Sequence, residues 1–188
     1  MKTLIFDTET TGFPSNHAPL SDPIQPHLIQ LAALLTVEDV VLQKFETIIQ
    51  CPIEVPEAAF KVHGISMEKS QAEGVPLATA LAAFNDLLFQ ADRLVAHNMR
   101  FDLKLMEIAY ARANIAMAHS MLEAIPKVCT MITVSPIMKR EGKRYTLDSS
   151  YRHFVDPAGF SSAHDASADT MACFKLLRAM EKKEIRII

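Results

Sequence analysis

Cysteine is scarce and follows no pairing pattern: there are three, Cys51, Cys129 and Cys173, far apart and with no C-x-x-C among them. That spacing excludes a disulfide framework and a cysteine zinc site. Buried, reduced thiols in a cytoplasm-like compartment are the expectation. Tryptophan is absent, whereas methionine is frequent, at ten. Methionine fills irregular gaps in a core, so the excess reads as packing rather than function. No run is long enough to cross a bilayer. The longest apolar stretch, LIQLAALLTV at 28–37, is about half of the ~20 residues a span needs. Only one lysine and a short apolar run precede Asp7, which excludes a signal peptide. A soluble, cytoplasmic protein with no membrane partner is expected.

An overall basic charge is also lacking, the formal net charge being −3. A nucleic-acid partner would then have to be held by a local patch, because phosphate binding depends on clustered Lys and Arg. Acids committed to a metal would lower the total, so −3 does not argue against such a partner.

What is present is a core. At 188 residues and 49% apolar, the chain is long enough for a single domain over 1–188 and too short for two full ones. Residues 2–6 (KTLIF) read as a short buried strand ended by the turn-prone TTGFP. An exposed loop follows, with four prolines in 14–26. Residues 28–36 and 40–49 read as a hairpin, followed by a loop through CPIEVP and VHGIS. Residues 76–91 space Leu, Ala and Phe as an amphipathic helix does, and RLVAH (93–97) is a short strand. Asn98 suits the N-cap of a helix over 99–114. A strand running into a helix at 127–134, a short helix at 146–154 and a last helix at about 163–183 complete the chain. Strands as a meander, then strands alternating with helices, imply an α/β sandwich with a mixed sheet.

Three stretches could carry chemistry. In FDTETTG (6–12), Asp7 and Glu9 are one residue apart, so on a strand both carboxylates face one spot. Two such charges repel unless one is protonated or a cation intervenes, and hard divalent ions take oxygen ligands of this kind. In HNMRFD (97–102) a strand ends, a helix begins, and Asp102 falls in its first turn. In HDASADT (164–170) Asp169 follows His164 by five residues. On a regular helix these stand about 140° apart, so both reach one centre only if His164 sits at or before the helix entrance. Taken singly, each stretch is equally a solvated strand end, a helix charge or cap (Asp165 included), or a packed histidine such as His97. Together they offer carboxylates at three element ends and no cysteine ligand, which implies Mg²⁺ or Mn²⁺ rather than structural zinc.

FDTETTG, HNMRFD and HDASADT resemble the three motifs of the DEDDh exonucleases, the DnaQ-like branch of the ribonuclease H-like superfamily, in the family's order and over nearly the whole chain. The resemblance implies a ribonuclease H-like three-layer fold, a central mixed five-stranded sheet flanked by helices. It implies a 3′→5′ exonuclease that releases nucleoside 5′-monophosphates from the 3′ ends of DNA or RNA. It also implies two Mg²⁺ or Mn²⁺ ions held by Asp7, Glu9, Asp102 and Asp169, with Asp7 bridging them, and His164 as general base. A neutral imidazole can take a proton from water near neutral pH. His63, in HGI, resembles a segment that lies against the 3′-terminal nucleotide in relatives; it is equally a glycine turn before a helix. Phe13 can pack on a base or cover the core. Thr10 and Asn98 complete the expected substrate contacts, with Lys139, Arg140, Lys143 and Arg144 as a phosphate-tracking patch.

Two features depart from the family: the long Pro-rich loop at 14–26, and Gln30 where many relatives carry Glu, expected to be without catalytic consequence. The rival expectation is a non-catalytic module binding nucleic acid or a polymerase. Loss of an acid would mark it, and none is lost. Only EIRII follows the last helix, which favours a free-standing enzyme over one tethered to a polymerase. A homodimer or a polymerase or repair partner stays open.

Overall fold

The computed structural model describes residues 1–138 and 145–187. The first strand, β1 (Lys2–Thr10), is longer than the residue pattern predicts. It carries on through Asp7 and Glu9 because β2 (Leu28–Val37) pairs with it antiparallel from Lys2↔Val37 to Glu9↔Gln30, then to Thr10↔Leu28 past a register shift. β3 (Val40–Ile48) completes the hairpin. β4 (Arg93–Ala96) and β5 (Lys127–Cys129) add in parallel on the other side. The result is the expected mixed five-stranded sheet, in the order β3-β2-β1-β4-β5.

Within the stretch from CPIEVP to VHGIS (51–66), read from the sequence as loop, a short helix α1 (Glu57–His63) forms, and a second, α2 (Met67–Glu73), follows it. They meet at Gly64, whose φ of 70° only glycine adopts without cost. Neither has an apolar stripe, which is why periodicity misses them: α1 has no buried residue and α2 buries only Ser70. The other helices are α3 (Leu77–Leu88), α4 (Met99–Ala113), α5 (Ala116–Ala124), α6 (Thr130–Met138), α7 (Leu147–Phe154) and α8 (Ala166–Lys182).

Strand alternation sorts these helices onto two faces. Leu4 and Phe6 of β1, with Leu31, Ala33 and Leu35 of β2, pack on Phe84, Leu105, Met106 and Leu122 of α3, α4 and α5. Ile5, Leu34 and Val95 pack on Cys173, Phe174 and Leu177 of α8. Each such side chain contributes about 1.5–3 kcal/mol on burial. β2 is buried along nearly its whole length, as a strand covered on both faces must be. All three cysteines are free and buried. Among the described residues no helix is long and apolar enough to cross a membrane.

Two features position the site. The parallel pairing of β1 with β4 ends at Ile5↔Val95, so among the described residues the second half of β1 has a strand neighbour only on the β2 side. The sheet opens there, at the C-terminal ends of its parallel strands, where ligands of α/β sheets bind. The Pro-rich loop is also less open than expected. Gln25, 1% exposed, donates to the carbonyls of Ser15, Ala18 and Pro19 at 3.0–3.2 Å and accepts from the Ser15 N–H. Arg112 of α4 donates to the carbonyls of Asp22, Gln25 and Pro26. One amide therefore folds the loop on itself, and one guanidinium ties it to the C-terminal end of α4.

Candidate active site

Asp7 and Glu9 leave β1 on the α8 side, while Thr8 between them faces the other way and is buried. Thr8 donates from its backbone N–H (3.1 Å) and its hydroxyl (2.8 Å) to Oδ1 of Asp102, in the first turn of α4. The residue between two acids thus sets the position of a third, itself only 2% exposed.

Asn98 does not cap α4 with its side chain. It sits in the left-handed region (φ 72°) and its amide makes no cap bond. The strand must turn sharply into α4 here, and Asn tolerates that conformation. A side-chain cap instead needs extended backbone to aim its oxygen at the first helical amides. His97 is packed, as its surroundings require: Nε2 lies 2.7 Å from the Tyr145 carbonyl and Nδ1 2.9 Å from the Thr130 hydroxyl. Burial lowers its pKa to about 4, so the ring is neutral. A carbonyl only accepts, so the proton is on Nε2.

At α8 the helix begins at Ala166 rather than 163, with Asp165 as N-cap accepting from the Ala168 N–H at 3.0 Å. His164 stands just before the cap, at φ 68°, the entrance position its convergence with Asp169 requires. Its backbone N–H donates to Asp169 Oδ2 at 3.2 Å. Side-chain ligand atoms of Glu9, His164 and Asp169 all lie within 4.8 Å of one another.

The electrostatics of this cluster are unfavourable without a cation. Burial, then the charges of Asp102, Asp169 and Glu9, push Asp7 well above the usual carboxylate range. Burial and the charges of Asp169 and Asp102 raise Glu9 to about 8. Burial raises Asp102 to about 7 against the opposing Thr8 hydrogen bonds. Burial raises Asp169 to about 6, opposed by the hydrogen bond from the His164 backbone and aided by Asp165. Asp169 Oδ1 is buried and has no hydrogen-bond partner among the described residues. Carboxylates that raise one another's pKa, one with an orphaned oxygen, are the donor set of a hard divalent cation. The residues present fit Mg²⁺ or Mn²⁺.

A pH dependence follows. Each of the four acids has a folded-state pKa above its unfolded value, so between about pH 4 and pH 8 these four bind more protons folded than unfolded. That outweighs the opposite contribution of His97, His27 and His63, whose pKa values are lowered. The metal-free protein therefore loses stability as pH rises through that window. A divalent cation selects the ionised acids and reverses the trend. Metal-free melting temperature should fall from about pH 5 to pH 8, and added Mn²⁺ should raise it more at pH 8 than at pH 5. A metal-free melting temperature that climbs over this range would contradict the assignment.

The other expected contacts are distributed as follows. Phe13 is 86% exposed, with its ring 5.9 Å from that of Phe101, edge to face. Both line a groove of about 1010 Å³, with Asn98, Arg100, Lys104 and Met131 among its walls. The Thr10 hydroxyl is engaged in the turn, donating to the carbonyl of His27 (3.0 Å) or Gly12 (3.3 Å). His63 accepts the Ile65 N–H at Nδ1 (3.1 Å), and its Nε2 is buried, with the ring against the Thr10 backbone. Lys139, Arg140, Lys143 and Arg144 lie outside the described residues. Thr8, which holds Asp102, and Arg100 and Phe101, which line the groove, were not picked out from the sequence. The D-T-E and R-F-D spacings hold the only signal for them.

An α/β sheet whose central strand and two helix entrances bring four acids and a histidine together defines a divalent-metal hydrolase type of site. The family model RNase_T, described as Exonuclease, matches residues 4–177. The chain belongs to this exonuclease family and has its ribonuclease H-like fold. It is 32% identical over 166 residues to DNA polymerase III subunit epsilon of Rickettsia typhi, covering 85% of this chain and 65% of that protein. Among solved structures, E. coli Exonuclease I in complex with a dT13 oligonucleotide superposes with a TM-score of 0.76 at 19% identity, over 97% of this chain and 41% of that one. The zinc-bound form of the E. coli ExoI–ssDNA complex gives 0.74 at 21% identity, over 98% of this chain and 41% of that one. The chain thus spans just under two thirds of the curated relative and less than half of these structures.

Proposed function

We propose that this chain is a metal-dependent 3′→5′ exonuclease acting on single-stranded 3′ ends of DNA or RNA and releasing nucleoside 5′-monophosphates. The observation that carries the reading is the convergence of Asp7, Glu9, Asp102 and Asp169, with the orphaned Asp169 Oδ1, at the open half of β1. Two divalent cations, when bound there, supply an activated water and stabilise the leaving 3′ oxygen. Asp7, Glu9, Asp102 and Asp169 hold that charge in place, Thr8 fixes Asp102, and His164, exposed at the rim, takes the proton of the attacking water.

The groove beside the acids supports single-stranded substrate. Phe13 and Phe101 offer ring faces and edges to unpaired bases, and Arg100 and Lys104 offer charge to the backbone. The Tyr145 carbonyl is bonded to His97 next to the second motif, so the chain that follows the 139–144 basic run returns beside the acids. The clustered charge of Lys139, Arg140, Lys143 and Arg144 in the sequence is what supports a phosphate-tracking role for them. His63, whose ring lies against the Thr10 backbone at the end of β1, is placed to border the terminal nucleotide. The likeness to subunit epsilon supports a polymerase partner, and the buried free thiols suit a reducing, cytoplasm-like compartment.

The test is digestion of 5′-labelled single-stranded DNA, duplex DNA and RNA with Mg²⁺ or Mn²⁺. The expected outcome is a ladder shortening from the 3′ end, faster on single strands than on blunt duplex and abolished by chelator. A single internal cut, or shortening that starts at the 5′ end, would refute the reading.

A further inference from the structure

Gln30 of β2 is paired with Glu9 of β1, so the two side chains leave the sheet on the same face, toward α8. It is 4% exposed, and both ends of its carboxamide are used at the entrance of α8. Oε1 accepts the Ala166 N–H at 3.1 Å, and Nε2 donates to Asp165 Oδ2 at 3.1 Å. The other oxygen of Asp165 accepts the Ala168 N–H. This clamp grips the chain beside a stretch of strained backbone. Ser162 (φ 62°) and His164 (φ 68°) are both left-handed without being glycine, a conformation that costs about 1–2 kcal/mol per residue and persists only where surrounding contacts impose it. Asp169 Oδ2 in turn accepts from the His164 backbone. A shift of this entrance moves His164 and Asp169 together.

We propose that Gln30 is a positioning residue for the proposed nuclease site, a two-ended amide clamp that fixes where His164 and Asp169 stand relative to Glu9. The proposal rests on the exonuclease reading only for its kinetic arm. An amide is required because the two partners differ: one is a donor, the Ala166 N–H, and the other an acceptor, the Asp165 carboxylate. A carboxylate at position 30 keeps the first bond, loses the second and places a charge between Glu9 and Asp165.

Gln30→Ala and Gln30→Glu are each expected to lower kcat about 10–100-fold, with KM for a single-stranded 3′ end unchanged. Mn²⁺ affinity, read by paramagnetic resonance titration, should weaken by a similar factor. The double variant Gln30→Glu with Asp165→Asn exchanges the two groups. The carboxylate at 30 then accepts from Ala166 and from the carboxamide at 165, whose oxygen still caps Ala168. Recovery of kcat and Mn²⁺ affinity to near wild type is expected, and a role in folding alone would not produce it. Wild-type kcat and affinity in Gln30→Ala overturn the proposal, as does a double variant no better than Gln30→Glu. If the wild-type protein binds Mn²⁺ but cleaves nothing, the exonuclease reading fails, while the Mn²⁺ affinities of the variants still decide the clamp.

Discussion

Asp7→Asn should abolish metal-dependent release of mononucleotides and, in the same protein, raise the melting temperature of the metal-free form. The two effects have one cause. Asp7 is pressed above the usual carboxylate range by burial and by the charges of Asp102, Asp169 and Glu9. Without a cation its ionisation works against folding, and a neutral amide of the same shape relieves that repulsion. With a cation present the same charge is what holds it. Losing metal-supplied transition-state stabilisation, worth several kcal/mol, lowers the rate about 10³-fold or more. In a chain of this size each kcal/mol of metal-free stabilisation raises the melting temperature by about 2–4 °C. Steady-state digestion with saturating Mn²⁺ and calorimetry in chelator read the two sides. An inactive variant that is also less stable without metal would mean that Asp7 serves packing rather than a cation.

The second large effect is at His164. His164→Ala should lower kcat by about 10²–10⁴, the range for removing a positioned general base, while Mn²⁺ binding stays close to wild type. The position of His164 makes this a sharp test, because its ring lies within 4.8 Å of ligand atoms of Glu9 and Asp169. A histidine in that place could donate to a cation instead of accepting a proton. A variant whose Mn²⁺ affinity drops in step with its rate would make His164 a ligand and remove it as base.

How much of this was legible in the sequence differs from residue to residue. Asp7 and Glu9 were legible because a strand places residues i and i+2 on one side, and FDTET shows that spacing directly. The entrance position of His164 followed from helix geometry, since five residues along a helix turn too far for His164 and Asp169 to meet otherwise. The strand's true end was not legible. TTG reads as a turn, yet β1 reaches Thr10 because β2 keeps pairing with it. Asn98 has the residue type of an N-cap but not the backbone of one, since the sharp turn from β4 into α4 decides its φ. α1 and α2 bury too little to show a period. Thr8 and Gln30 look like filler in one dimension. Each gains its place from a partner roughly a hundred residues away, Asp102 for Thr8 and Asp165 with Ala166 for Gln30.

By itself, then, the sequence determined the α/β class and the mixed sheet, because local periodicity is a property of neighbouring residues, and it proposed the five residues of the candidate site through motif spacing and a family resemblance. Only the tertiary structure decided how those five are held. The open half of β1, the hydroxyl behind Asp102, the amide behind His164 and Asp169, and the aromatic groove beside them arise where distant segments pack. The mutual rise of four carboxylate pKa values belongs to that level too. Coulomb repulsion depends on separation in space and on burial, and the folded core sets both.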